Sequence, residues 1–303
     1  MLALLAAVAL PALYWDQGPA TAAAVKQAGI ERLYVPASEM AAWRDAGFDA
    51  QAFDAARFVK LPVPGVRYQM DVASATTVPW IDANGWRFQR KGGGSYFYDA
   101  PAGKAMLAAA EAYANGVEAV IHVDAKDLAG FARMLTFLRS IGGETLPALA
   151  NFGFIDNGSA QTGEVMNLLA RRNLLFEVVR KPDPKYEMNV EIPADAKITN
   201  PSDFSARVRQ DLTDEKRLLR IFGSDVVLAR LNGDNTRVRV HLINYSDRKV
   251  EGLRVRVRGV YSRGTLAAFG QEKAALEDFS AADGATEFTV PSIDVYAAMD
   301  LRK

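Results

Sequence analysis

The chain has 303 residues with 36 basic and 36 acidic side chains, half of its residues are hydrophobic, and it has no cysteine. Balanced charge gives no field that would attract nucleic acid or an anionic membrane, so neither is expected as a partner. The lack of cysteine excludes disulfides, thiolate nucleophiles and cysteine-ligated metals. Only two histidines, His122 and His241, are present, so we expect no histidine-rich metal motif, no familiar Ser-His-Asp triad and no cofactor.

The first thirteen residues, MLALLAAVALPAL, are almost entirely apolar. This run is too short to cross a bilayer. It has the apolar core and small closing residues of a secretory signal peptide, although the positively charged start of such signals is missing. We therefore expect a signal peptide over residues 1–12, no membrane span, and a mature protein that is secreted or periplasmic. The alternative is a buried helix or a first strand.

From residue 12 to about 180, short apolar runs alternate with amphipathic helical patterns, many of which end at glycine. This rhythm is typical of strand–helix units around a parallel sheet. The unbroken apolar runs VEAVIHV and LLFEVVR indicate strands buried on both faces. Residues 181–201 are rich in proline and charge and predict a long loop, and a charged helix capped by Ser202 is expected to follow. Strands are predicted within residues 12–16, 31–36, 56–70, 117–123, 147–156 and 174–180.

The pattern changes at Phe222, after which most segments alternate polar and apolar residues. Period-two alternation is typical of half-buried strands, and the turn sequences NGDN, SDRK and ADGA separate these segments. The sequence therefore predicts an α/β domain over residues 13–221 and an antiparallel β-sandwich domain over residues 222–303.

The order of an export signal, strand–helix units and a C-terminal sandwich resembles that of bacterial glycoside-hydrolase-like proteins. The likeness is closest in HLINYSDRKVEGLRVRVRG (241–259) and EFTVPSIDVYAAMDL (287–301). It implies a (β/α) barrel-like fold followed by a β-domain. A complete eight-fold barrel usually takes about 250 residues, so the strand–helix region implies a partial barrel, one that has either kept or lost its catalytic carboxylates.

A second resemblance covers residues 150–180, where a strand, polar turn, helix and strand resemble the start of a flavodoxin-like or glutamine-amidotransferase-like domain. The amidotransferase reaction needs a cysteine nucleophile, which this chain lacks. Residues 150–221 are therefore expected either to complete the barrel or to form a separate flavodoxin-like part.

Three aspartates are candidates for catalysis, because reactive groups of parallel α/β folds lie at the carboxyl ends of strands. Asp16 ends the first predicted strand, Asp82 lies in VPWIDANGWRF, and Asp124 ends VEAVIHVD. Glycoside hydrolysis needs two carboxyl groups, one with a raised pKa. We predict Asp82 and Asp124 as this pair, with Asp16 as the third candidate. The alternative is helix capping, which Asp124 could provide for the helix that follows it.

Aromatic residues near the same strand ends are candidates for holding a sugar, whose apolar faces stack on aromatic rings. The predicted substrate-binding residues are Trp15, Trp80, Trp86, Tyr98 and His122. The alternative is that the tryptophans fill the core. Two functions stay open: an exported carbohydrate-active enzyme, and a non-catalytic binding or scaffold protein of the cell envelope. They differ in whether two carboxyl groups converge within about 5 to 10 Å.

Overall fold

The computed structural model of the chain describes residues 10–67, 79–142, 146–193 and 198–303. Most of the expected signal peptide and part of the loop before Trp80 lie outside these residues. The strands are β1 (Ala12–Tyr14), β2 (Arg32–Val35), β3 (Asp49–Ala52), β4 (Val59–Leu61), β5 (Gly65–Arg67), β6 (Trp80–Asp82), β7 (Ser95–Asp99), β8 (Glu118–His122), β9 (Phe152–Ile155), β10 (Phe176–Val179), β11 (Asn189–Glu191), β12 (Leu219–Phe222), β13 (Val227–Gly233), β14 (Arg237–Asn244), β15 (Val250–Arg258), β16 (Arg263–Ala268), β17 (Glu277–Ala282), β18 (Ala285–Ile293) and β19 (Tyr296–Arg302). The helices are α1 (Ala22–Gln27), α2 (Met40–Asp45), α3 (Gly85–Arg90), α4 (Ala105–Asn115), α5 (Leu128–Ile141), α6 (Ala160–Arg171) and α7 (Pro201–Leu212).

The chain divides into two compact units. The first unit comprises residues 1–65 and 93–145, and the second comprises residues 66–92 and 146–303. This division groups residues 146–221 with the sandwich, whereas the sequence pattern groups them with the preceding strand–helix region. Over the described residues, no helix is both long enough and apolar enough to cross a bilayer.

The first unit is built on a six-stranded parallel sheet in the order β3-β2-β1-β8-β7-β4. One sheet face carries fully buried side chains such as Leu13 and Tyr98, and the other carries an aromatic cluster that includes Tyr34 and Phe97. Within the described residues, no strand pairing joins the edge strands β3 and β4, so the barrel is not closed. The rings of Phe53, which follows β3, and Phe58, which precedes β4, stack at 5.5 Å.

The second unit begins with a three-stranded parallel sheet, β10-β9-β11. The fully buried Phe152 and Phe154 of its central strand pack in one core with apolar residues of α6 and α7. Strand β11 lies inside the segment that the sequence predicts as a loop. It is three residues long, too short to show a hydrophobic period, and its pairing with β9 is a long-range contact.

Two four-stranded antiparallel sheets complete the second unit, in the orders β12-β15-β18-β17 and β13-β14-β19-β16. Their inward side chains form one shared apolar core, which confirms the antiparallel β-region expected at the C-terminus. The sequence pattern predicts the preceding helix over residues 202–220, which is too long: α7 is capped by Asn200, not Ser202, and ends at Leu212. Thr213 then takes a positive φ of 57°, and the rest of the expected helix includes β12.

Candidate functional site

The carboxyl ends of β1, β7 and β8 lie side by side in the first unit and bring three polar side chains together. The strand register places Tyr14 opposite His122 and His122 opposite Asp99. Because side chains alternate between the faces of a strand, Asp16 follows Tyr14 on the same face. Asp16, Asp99 and His122 are therefore expected to meet at one edge of the sheet, and they do.

The imidazole of His122 lies between two carboxylates. Its Nδ1 is 2.9 Å from Oδ1 of Asp99, and its Nε2 is 3.1 Å from Oδ2 of Asp16. The Asp99 contact is a hydrogen bond, whereas the Asp16 contact lacks hydrogen-bond alignment. Lys60 Nζ donates to the second oxygen of Asp99 at 2.9 Å. Since one imidazole separates them, the carboxylates of Asp16 and Asp99 fall within the span of about 10 Å that sugar hydrolysis uses.

These contacts shift the proton affinities of the cluster in opposite directions. Burial lowers the pKa of His122, but the hydrogen bond to Asp99 and the charge of Asp16 outweigh it, so the net pKa is raised. The pKa of Asp99 is lowered, chiefly because it accepts hydrogen bonds from His122 and from Lys60. Both shifts favour a protonated His122 imidazole beside an ionised Asp99 carboxylate.

Aromatic rings form a floor beneath the cluster. The Tyr14 ring lies 5.3 Å from the His122 ring and stacks on Phe53 at 4.2 Å, and Phe53 lies 4.7 Å from Phe97. Tyr14 is half-buried, and burial together with the negative charge of Asp16 raises the pKa of its hydroxyl. The hydroxyl therefore stays protonated and can donate a hydrogen bond.

The pair of acids predicted from the sequence occupies other places. Asp124 accepts a hydrogen bond from the backbone N–H of Lys126 at 2.9 Å and caps a short 3₁₀ helix, which is the alternative that the sequence offered. Asp82 belongs to the second unit, where it accepts hydrogen bonds from Arg67 Nη2 at 2.8 Å and Trp80 Nε1 at 3.2 Å.

The predicted aromatic ligand-binding residues divide into two groups. Trp15 is 2% exposed and its Nε1 donates to Thr21 at 2.8 Å, while Tyr98 is fully buried and its hydroxyl donates to Glu111 at 2.7 Å. Burial leaves neither ring a face for stacking on a sugar, so both are core residues. Trp80 and Trp86 are half-buried in the second unit and lie against arginine guanidinium groups. The ring-to-guanidinium distances are 4.4 Å for Trp80 with Arg171, and 4.2 and 5.2 Å for Trp86 with Arg87 and Arg90.

Asp99 lies at one of the strand ends that the sequence indicates, but it was not selected as a site residue, and neither were Tyr14 and Phe53 of the aromatic floor. The sequence signal that could have identified these residues is the alternation of side chains between the two sheet faces along ALYWD and SYFYD. Asp16 and Asp99 must point away from the face that carries Trp15 and Tyr98, so the carboxylates and those rings could not share one cavity.

Over the described residues, no group of three or more His, Cys, Asp or Glu side chains is arranged to hold a metal ion. In the site itself, Asp16 and Asp99 face the two nitrogens of one imidazole, so these ligand atoms engage each other instead of converging on a common point.

Comparisons with known proteins support the fold alone. No protein-family model matches the sequence, and no curated protein matches it significantly. The chain is similar to α-L-fucosidase isoenzyme 2 from Paenibacillus thiaminolyticus, with a TM-score of 0.55, 10% identity and coverage of 88% of this chain and 70% of that chain. Weaker likenesses are to a GH42 β-galactosidase from G. stearothermophilus (TM-score 0.39, 9% identity, 96% of this chain and 60% of that chain) and a GH30 xylanase from Clostridium acetobutylicum (TM-score 0.23, 9% identity, 98% and 97%). The fold is thus similar to that of a glycoside hydrolase.

Proposed function

We propose that the chain binds a carbohydrate at the carboxyl edge of the first unit's sheet, and that His122 held between Asp16 and Asp99 is the centre of the site. The carrying observation is this imidazole between two carboxylates above an aromatic floor. The carboxylates accept hydrogen bonds from sugar hydroxyls, whereas the ammonium of Lys60 and the hydroxyl of Tyr14 donate hydrogen bonds to the sugar oxygens. A polar edge over an apolar floor matches the two kinds of surface on a sugar ring.

If the site hydrolyses its ligand, the charges assign the roles. His122 holds a proton more firmly than a free imidazole does. Because Asp99 holds Nδ1, His122 can donate that proton only from Nε2, after the leaving oxygen has taken the place of Asp16 there. Asp99 orients the imidazole through its Nδ1. Asp16, which faces Nε2, is the carboxylate left to act as base or nucleophile. Asp82 and Asp124 take no part in this proposal, because of the contacts that occupy them.

One observation favours the alternative of a non-catalytic binding protein. Glycoside hydrolysis normally uses a carboxylic acid with a raised pKa, whereas the pKa of Asp99 is lowered. A site that binds sugars without cleaving them needs no protonated carboxyl group.

We expect Asp99→Asn to weaken glycan binding at least tenfold, since the substitution removes the charge that orients both Lys60 and His122 and a charge-assisted hydrogen bond contributes about 1.5 to 3 kcal/mol. The measurement is a glycan array followed by calorimetric titration, with a hydrolysis screen on the same sugars. Asp124→Asn is the matched control, because asparagine also caps a helix. Equal binding by both variants would contradict the proposal, and binding without hydrolysis would select the non-catalytic alternative.

We also propose export, on the strength of the apolar N-terminal run. Expression of the full chain in a bacterial host should yield a periplasmic or secreted protein whose sequenced N-terminus lies near Leu13. Recovery in the cytoplasm with Met1 intact would reject a cleaved signal.

A further inference from the structure

The second unit contains a cavity of about 560 Å³ with no assigned role. It is lined from three directions: by the segment around Tyr186, by the end of α7 at Asp211, and by the sandwich at Leu218 and Arg258. Its volume lies in the range of small-molecule sites. Most of its lining side chains are polar or charged, which distinguishes it from an apolar packing defect.

One wall of the cavity is rigidly built. Glu177 accepts hydrogen bonds from the Tyr186 hydroxyl and from Lys185 Nζ, the latter at 3.0 Å. The segment that carries both donors is tied to the sheet by Asn189, which accepts from the Asp183 backbone N–H at 3.0 Å and donates to the Asp183 carbonyl at 3.1 Å. These residues satisfy one another, so they shape the cavity and are not free to rearrange around a ligand.

The absence of a side chain at Gly153 makes this wall possible. A Cβ atom at that position would lie 3.1 Å from a ring carbon of Tyr186 and 2.5 Å from Oδ1 of Asn189. The Tyr186 ring therefore lies directly on the sheet backbone, and the wall exists before any ligand arrives.

Other lining side chains are weakly engaged. Arg258 makes one long hydrogen bond of 3.4 Å, to the Lys216 carbonyl, and Lys216 Nζ lies 3.8 Å from Glu187. Among the described residues, Asp211 has no hydrogen bond or ion pair through its carboxylate. Lys185 pairs with Glu177, and Lys216 lies near Glu187. The remaining charged groups of the lining are the guanidinium of Arg258 and the carboxylate of Asp211.

We propose that this cavity is a second carbohydrate site that binds a neutral sugar ring, with Arg258 donating to its hydroxyls and Asp211 accepting from them. Guanidinium offers only donors and carboxylate only acceptors, and sugar hydroxyls satisfy both. The equal numbers of cations and anions disfavour a charged ligand, which would leave one sign uncompensated. This inference rests on the proposed function in one respect only, the choice of a carbohydrate as the class of ligand.

Methyl-labelled Met188, which also lines the cavity, reports on its occupancy by NMR. The probes are galactose, xylose, cellobiose and maltose, with galacturonate as the anionic comparison. We expect at least one neutral sugar to shift the Met188 methyl signal in a saturable way. Arg258→Gln and Asp211→Asn should each weaken that binding at least fivefold, whereas Arg254→Gln, on the same strand but paired with Glu287, should not.

The imidazole signals of His122 report separately on the first unit's site. A response at His122 with none at Met188 would overturn the second site and leave the proposed function standing. A response at Met188 alone would support the second site while counting against the proposed one. Binding of galacturonate but no neutral sugar, or equal effects of the arginine variants, would overturn the assignment.

Discussion

Replacing Arg90 by methionine should lower the free energy of unfolding by about 3 to 5 kcal/mol. Arg90 holds the carboxylate of Asp156 in two hydrogen bonds of 2.7 and 2.8 Å, and it also donates to Thr162 and to the Ser159 carbonyl. The Asp156 side chain is 7% exposed. Methionine packs in place of the arginine stem but leaves a buried carboxylate without its cation, and that is the costly outcome.

The pH dependence of this loss identifies its cause. Burial raises the pKa of Asp156, yet hydrogen bonds from Arg90, Thr162 and the Gly158 backbone N–H outweigh it and lower the pKa. A lowered carboxyl pKa stabilises the fold above the unfolded-state pKa of about 3.9, and that stability is lost as the pH falls through the folded value. Without Arg90 the pKa rises, so Asp156 takes up a proton more readily at mild acidity.

Urea unfolding at pH 7 and pH 4.5 measures both effects, and the difference between wild type and Arg90→Met should shrink at the lower pH. The double variant Arg90→Met/Asp156→Asn is the matched control, because it removes the buried charge and should recover a large part of the loss at pH 7. A loss below about 1 kcal/mol in the single variant would mean that the pair acts as an exposed salt bridge.

The strand–helix rhythm and the C-terminal alternation could be predicted because both are local. The apolar run of VEAVIHV needs burial on both faces wherever it lies, and β8 forms within it. Strand β11 and the early end of α7 could not be predicted in the same way, since one depends on pairing with β9 and the other on a turn at Thr213.

The candidate site also has a part that local sequence indicates and a part that depends on long-range strand order. Asp16 and His122 were identifiable because each lies at the carboxyl end of a predicted strand, and the structure brings them together. Their relation to Asp99 depends on strand order, since β8 lies between β1 and β7 in the sheet. Asp82 falls in the second unit, and no feature of the sequence around it indicates this division.

The fold should lose about 2 kcal/mol between pH 7 and pH 5 through His241 alone. Its imidazole is buried in the β13-β14-β19-β16 sheet, 2.6 Å from the Tyr296 hydroxyl, and burial together with the charges of Arg239 and Arg230 lowers its pKa to about 3. The unfolded chain binds this proton near pH 6.5. As the pH falls below that value, the unfolded state binds a proton that the folded state does not bind. The free energy of unfolding therefore decreases towards pH 3.

His122 contributes with the opposite sign. Its pKa is raised in the folded state, so its stabilisation is complete below the unfolded pKa and is lost as the pH rises through the folded value. Chemical unfolding of His241→Gln and His122→Gln from pH 7.5 to pH 5 separates the two contributions. The deficit of His241→Gln relative to wild type should narrow as the pH falls, because the variant lacks the titrating group, while that of His122→Gln should widen. Parallel curves for both variants would show that neither imidazole titrates differently on folding.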